Sequence, residues 1–281
     1  MRNVGVLDAP SARPGGHVCW CFDDHVDFRE AAGAFLAEGR QLGERLVYVA
    51  DGTEDELPRQ LAGLGDIDGL LATGALLVEP ARRLYDADAF DAVAQCRTYE
   101  TLVASALEDG YTGLRVAADA TALVTDEEAR RRFVAYEASV DRLMAERPMT
   151  AMCAYHAPIL GPAVGDLLAV HPLRHGGGDV DPGFHSFYDD GVLRVAGEID
   201  VSNRAVFDAV TTSLEAGSDA EPKIDLRETT FIDLRSLAHL STVAARLETS
   251  GRTLRVTGAP EVVRRCCDLL ALDPLTKRFA A

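Results

Sequence analysis

Four short runs of this chain are almost uninterruptedly apolar: RLVYVA at 45–50, ALLVE at 75–79, GLRVAAD at 113–119 and TAMCAYH at 150–156. Strands that face water on one side alternate apolar and polar residues, whereas continuous apolar runs belong to strands covered on both faces, as in parallel sheets. The stretches between the runs carry helical spacing. Phe28, Ala32, Phe35 and Leu36 share one helical face within 26–39, with Gly39 as the expected stop, and further helices are expected at about 55–64, 87–108 and 126–147. Strand followed by helix, repeated, gives an α/β fold built on a parallel sheet with helices on both faces.

That pattern breaks at HPLRHGGGDVDPGFHSFYDDG, residues 171–191, where three consecutive glycines, two prolines and four aspartates leave little to bury. The run reads as a connector. It divides the 281 residues into an N-terminal segment (1–13), a larger domain (14–175), a linker (176–187) and a smaller domain (188–281). In the smaller domain the expected order is a strand at 191–200, a helix at 203–216 and two short strand pieces within 223–233 that run into a helix at 234–250. A strand at 253–258 and a helix at 260–270 close it.

Composition excludes several function classes. Acidic residues number 45 against 28 basic ones, a formal charge of −17, and such a surface repels phosphate backbones and anionic lipid head groups. Neither nucleic acid nor membrane is an expected partner. No apolar run approaches the roughly 18 residues of a membrane helix and no export leader is evident, so a cytoplasmic protein with reduced cysteines is expected. The only lysines are Lys223 and Lys277, so the larger domain has no lysine with which a P-loop would meet the β and γ phosphates. The only serines before the linker, Ser11, Ser105 and Ser139, lie in no G-x-S-x-G elbow. The chain is read as a non-enzyme.

Candidate binding residues gather in the larger domain. His17, Cys19 and Cys21 alternate, so a strand puts all three on one face, and if that strand lies beside 150–156 then Cys153 comes within reach. His25, His156 and His171 are further polar candidates. Three readings stay open: apolar fillers of a buried sheet, an organic-ligand pocket, or thiolate and imidazole donors of the kind that suit zinc or copper(I). The tentative ligand set is His17, Cys19, Arg115, Glu137 and Cys153, with no metal assigned and the cofactor unknown. Arg115 is expected to pair with Asp119 or Glu137, or else to clamp an anion. Asp23, Asp24 and Asp27 are expected to cap a helix.

The segments VLRVAGEID (192–200), KIDLRETTFID (223–233) and GRTLRVTGAPEVVRRCCDLLAL (251–272) resemble the STAS domain of sulfate transporters and anti-sigma-factor antagonists. In signalling members of that family an Asp at a strand end precedes a small residue, a phosphorylatable Ser or Thr and a Gly at the next helix start. Here the corresponding residues are Asp233, Leu234, Arg235 and Ser236, so the resemblance implies a partner-binding loop whose usual phospho-acceptor is absent. Ser236 is an alternative acceptor one residue on. The pieces GHVCW (16–20), FLAEG (35–39), GERLVYVADG (43–52), GYTGLRVAAD (110–119), AYEASV (135–140), CAYH (153–156) and VHP (170–172) resemble the methanogen and methylotroph sensory (MEDS) domain. That resemblance implies a degenerate RecA-like domain that senses small molecules.

The resulting expectation is a cytoplasmic signalling protein. A sensory domain reports a small molecule or redox state to a STAS domain, which binds an anti-sigma factor of the histidine-kinase-like ATPase fold or a similar partner, and so regulates transcription. The alternatives are a nucleotide-binding or catalytic α/β domain with an accessory STAS module, and a non-sensing scaffold.

Overall fold

A computed structural model describes residues 3–84 and 90–279. Seven strands, β1 (Gly5–Val6), β2 (His17–Phe22), β3 (Arg45–Ala50), β4 (Leu76–Pro80), β5 (Leu114–Asp119), β6 (Met149–His156) and β7 (Leu173–His175), form one sheet. Its order is β1-β7-β2-β6-β5-β3-β4 and every pairing is parallel. All side chains of β2, β3 and β5 are buried, as their apolar runs require. Helix His25–Gln41 covers one face, where Phe28, Phe35 and Leu36 meet Trp20, Tyr48 and Met152. Helices Ala92–Glu108 and Glu127–Glu146 cover the other, where Tyr99, Val103 and Phe133 meet Cys19, Val116 and Cys153. The N-terminal part is thus a parallel sheet clad on both faces by helices.

A smaller mixed sheet follows. Strands β8 (Phe184–Asp189), β9 (Val192–Ile199), β10 (Lys223–Ile232) and β11 (Arg255–Thr257) lie in the order β11-β10-β9-β8, antiparallel only between β8 and β9. Helices Arg204–Ala216 and Leu234–Thr249 pack on it and on each other. The two strand pieces expected within 223–233 are one strand, interrupted by register shifts between Asp225 and Glu228 and between Thr229 and Phe231.

The polar run at 171–191 contributes a strand to each sheet. Leu173–His175 is β7, and in β8 the alternating residues Phe184, Ser186 and Tyr188 point inward. Asp190 (φ 53°) and Gly191 (φ 71°) then turn the chain into β9, the two positive φ values that a tight two-residue hairpin needs.

Two helix expectations change. The one at 55–64 is only a turn, Leu57–Gln60, followed by a 3-10 turn, because Gly63 and Gly65 (φ 93°) break the periodic segment. The one at 87–108 is observed as Ala92–Glu108, capped by Asp91, and its expected start at 87–89 lies outside the described residues.

Gly39 does not stop the first helix, which continues to Gln41. It is buried instead because Arg115 passes beneath it: a Cβ there would lie 2.4 Å from Arg115 Cδ.

Candidate functional site

Strand β2 enters the larger sheet at His17 and runs beside β6 with Cys19 opposite Cys153. The period of two puts His17, Cys19 and Cys21 on the face that also carries Cys153 and Tyr155. Helix Glu127–Glu146 lies over that face, capped by Asp126, and its buried stripe includes two acids, Glu137 and Asp141, one turn apart. His171 comes from the segment just before β7. All of these side chains are fully or almost fully buried.

The geometry centres on Glu137. Its Oε2 lies 3.1 Å from His17 Nε2 and 3.7 Å from His171 Nε2, and the Cys153 thiol stands 3.7 Å from it and 3.5 Å from His17 Nε2. The other oxygen, Oε1, accepts a 2.6 Å hydrogen bond from the Tyr155 hydroxyl. His17 Nδ1 is 2.9 Å from Asp141 Oδ1, and His171 Nδ1 is 2.7 Å from the Leu167 carbonyl oxygen. His171 Nε2 is buried with no hydrogen-bond partner among the described residues.

Burial alone would lower the pKa of His17, but hydrogen bonds to Asp141 and Glu137 and their charges outweigh it, so the imidazole is held above its usual range. For Glu137 burial pulls upward, yet the hydrogen bond with His17 and the neighbouring imidazoles bring it below the ordinary carboxylate value. His171 is lowered to about 4, first by burial and then by His17. Burial pushes the Cys153 thiol and the Tyr155 hydroxyl well up. The surroundings thus favour the protonated form of His17 and the ionised form of Glu137, and the neutral forms of His171, Cys153 and Tyr155.

Of the tentative ligand residues, the structure brings His17, Glu137 and Cys153 together and leaves two outside. Cys19 shares the face, but its sulfur pairs with Cys21 at 3.9 Å. Arg115 lies on the opposite face, and its expected pairing with Asp119 or Glu137 is corrected. Its Nε and Nη1 donate to Glu44 (2.5 Å) and Glu38 (2.7 Å), the remaining bonds go to the carbonyls of Phe35 and Ala12, and the guanidinium stacks on Phe35. Residues of one strand alternate faces, so Arg115 cannot join a site that Val116 overlooks. Asp119 instead accepts from the backbone N–H and hydroxyl of Thr121.

His171 was one polar candidate among several, and Asp141 and Tyr155 were not singled out. The signal for Asp141 is its place, with Glu137, inside the apolar stripe formed by Phe133, Val134, Val140 and Met144, where an unpaired carboxylate would be costly.

Asp141 also reaches the second sheet. Its Oδ2 accepts the backbone N–H of Tyr188, in β8, at 2.6 Å. Strand β8 is the sheet edge, and Ser186 N–H is likewise held, by the Ala169 carbonyl at 2.7 Å.

The smaller domain presents the residues expected to form its loop. Asp233 caps helix Leu234–Thr249 by accepting the Ser236 N–H at 2.8 Å, and it pairs with Arg204. Burial would raise its pKa, but the Arg204 hydrogen bond and the cap bring it down to about 2. Leu234 and Arg235 are exposed and Ser236 is fully buried. Phe231, Leu234 and Val201 expose apolar surface at this end of the sheet.

The family model for MEDS, the methanogen/methylotroph, DcmR sensory domain, matches residues 16–172. The model described as Mlab, STAS domain, matches residues 187–277. A search of curated proteins finds no match. No helix among the described residues is long and apolar enough to cross a membrane.

Proposed function

Since the chain belongs to the MEDS family and carries a STAS domain behind its sensory half, we propose that it is a cytoplasmic signalling protein. The cluster around Glu137 receives a small-molecule or redox input, and the STAS domain delivers the result to a protein partner. The observation that carries this reading is Asp141. One carboxylate oxygen holds His17 of the sensory cluster and the other holds the Tyr188 N–H of the STAS sheet, so a change of charge on His17 is felt one hydrogen bond away in the second domain.

The output surface is the end of the STAS sheet around Asp233. Exposed Val201, Phe231 and Leu234 beside a salt-bridged helix start form an apolar surface with a polar rim, suited to a protein partner. The partner class is an anti-sigma factor of the histidine-kinase-like ATPase fold, and the downstream effect is on transcription. Arg235 stands where a phospho-acceptor would, and Ser236 is buried with its N–H committed to Asp233, so the loop works without phosphorylation. The reading assigns no catalytic step.

A binding titration of the full chain against purified anti-sigma factors of that fold tests it. Saturable binding is expected, lost in Leu234→Glu and altered in affinity by Asp141→Asn. Absence of binding, or binding indifferent to both variants, contradicts the proposal.

A further inference from the structure

The donors around Glu137 converge on a single point, and their contacts with one another leave one of them unsatisfied. His171 Nε2 is the decisive atom: fully buried, without a hydrogen-bond partner among the described residues, and facing Glu137 Oε2. One ligand atom each from His17, Glu137, Cys153 and His171 lies within 4.8 Å of all the others. Zinc bonds of about 2.0–2.1 Å to nitrogen or oxygen and about 2.3 Å to sulfur give a tetrahedron with edges of about 3.3 Å between N and O and about 3.5 Å from either to S. The observed N–O separations are 3.1 and 3.7 Å, the N–S separation is 3.5 Å and the O–S separation is 3.7 Å.

The surrounding residues are those a metal site needs. Metal-ligating histidines hand their second nitrogen to a carboxylate or a backbone carbonyl, which fixes the tautomer and aims the other nitrogen at the ion. Here His17 Nδ1 meets Asp141 and His171 Nδ1 meets the Leu167 carbonyl, leaving both Nε2 atoms pointed inward. Tyr155 donates to the Glu137 oxygen that faces away from the imidazoles, orienting the carboxylate in the same way.

We propose that His17 Nε2, His171 Nε2, Glu137 Oε2 and Cys153 Sγ form a tetrahedral site for a single zinc-class divalent cation. The mixed nitrogen, oxygen and sulfur set favours zinc over magnesium or calcium, which prefer all-oxygen cages, and the carboxylate disfavours copper(I). Charge balances on loading: the dication takes the place of one proton on His17 Nε2 and one on Cys153 Sγ, both released to solvent, and no oxidant or reductant is involved. Because the site is the one read above as sensory, its part in signalling rests on that reading, whereas its occupancy does not.

The test is metal analysis and cobalt(II) substitution of the full-length protein. One zinc per chain is expected by elemental analysis after dialysis. Cobalt(II) in the stripped protein should give the intense visible bands of a tetrahedral ion together with a thiolate-to-cobalt charge-transfer band. That band should vanish in Cys153→Ser and persist in Cys96→Ser, a cysteine outside the cluster. Asp141→Asn, which keeps all four donors, should weaken zinc binding about 10–100-fold.

No zinc at stoichiometry together with a weak octahedral cobalt spectrum overturns the site. The spectrum of the unmutated protein decides this even if a ligand variant fails to fold. A charge-transfer band that survives in Cys153→Ser overturns the ligand set. Stoichiometric zinc that leaves partner binding unchanged upholds the metal site and contradicts only the signalling role.

Discussion

On one face of the seven-stranded sheet, Arg115 lies beneath helix His25–Gln41 with Glu44, Glu38 and two backbone carbonyls as acceptors. On the other, His17, Glu137, Cys153 and His171 meet beneath helix Glu127–Glu146 with the Nε2 of His171 unmatched. Both are buried charged groups, on opposite faces of one sheet in one domain. The first is saturated, and a saturated network has nothing left to offer a ligand. The second keeps a lone pair and a thiol in reserve and spends one carboxylate on a neighbouring domain. Burial and charge do not distinguish a structural ion pair from a site; unspent bonding capacity does.

The largest effect expected from this contrast is on Arg115. Arg115→Met leaves Glu44 buried without its cation and should cost about 3–5 kcal/mol of stability in chemical denaturation. In whatever fraction remains folded, ligand binding on the far face should be unchanged; a loss there would show the faces to be coupled. Next comes the glycine that makes room for Arg115. Gly39→Ala crowds a buried side chain and should cost about 1–3 kcal/mol. Gly33→Ala on the same helix meets nothing within 4 Å and should stabilise by up to about 1 kcal/mol. Equal effects at the two glycines would remove the packing argument.

Asp141→Asn keeps an oxygen for the Tyr188 N–H but removes the charge that faces His17, so a loss of about 1–2 kcal/mol is expected. The smallest effect should be at His171. Its replacement by Gln gives up one hydrogen bond and an unsatisfied nitrogen, so the metal-free protein at neutral pH should change by no more than about 1 kcal/mol.

His171 has a pH signature as well. Folded, it titrates near about 4; unfolded, near the ordinary 6.5. The unfolded chain therefore binds the extra proton between those values, and the stability that neutral His171 contributes is present above pH 6.5 and lost as pH falls toward 4. His17 has the opposite sign, its contribution being present below pH 6.5 and lost as pH rises. Subtracting the His171→Gln profile from that of the unmutated protein should isolate the acid-side loss, and a difference profile flat from pH 7 to 4 would contradict the assignment.

Much of this was legible in the residues. The apolar runs of β3, β4, β5 and β6 declared a parallel sheet, and the alternation of His17, Cys19 and Cys21 placed them on one face. Strand β8 was hidden by the glycines, prolines and aspartates of the run around it, although Asp190-Gly191 between alternating apolar residues is a hairpin signal. Arg115 was misjudged because a strand's sequence gives the alternation of its faces but not which helix covers each. Gly39 looked like a helix end because the close approach of Arg115 is a tertiary fact. The cluster itself was half visible: His17 and Cys153 through strand adjacency, but His171 only once the chain after helix Val164–Leu168 returned it to β2.

The central claim is that the unsaturated face is wired through Asp141 to the STAS sheet. Amide hydrogen exchange of the full chain, resolved at Tyr188 and compared between the unmutated protein and His17→Gln, tests it most directly. Faster exchange at Tyr188, with protection unchanged in β5 beside Arg115, is the expected result. Exchange in β8 that ignores the substitution, or that rises equally in both sheets, would contradict it.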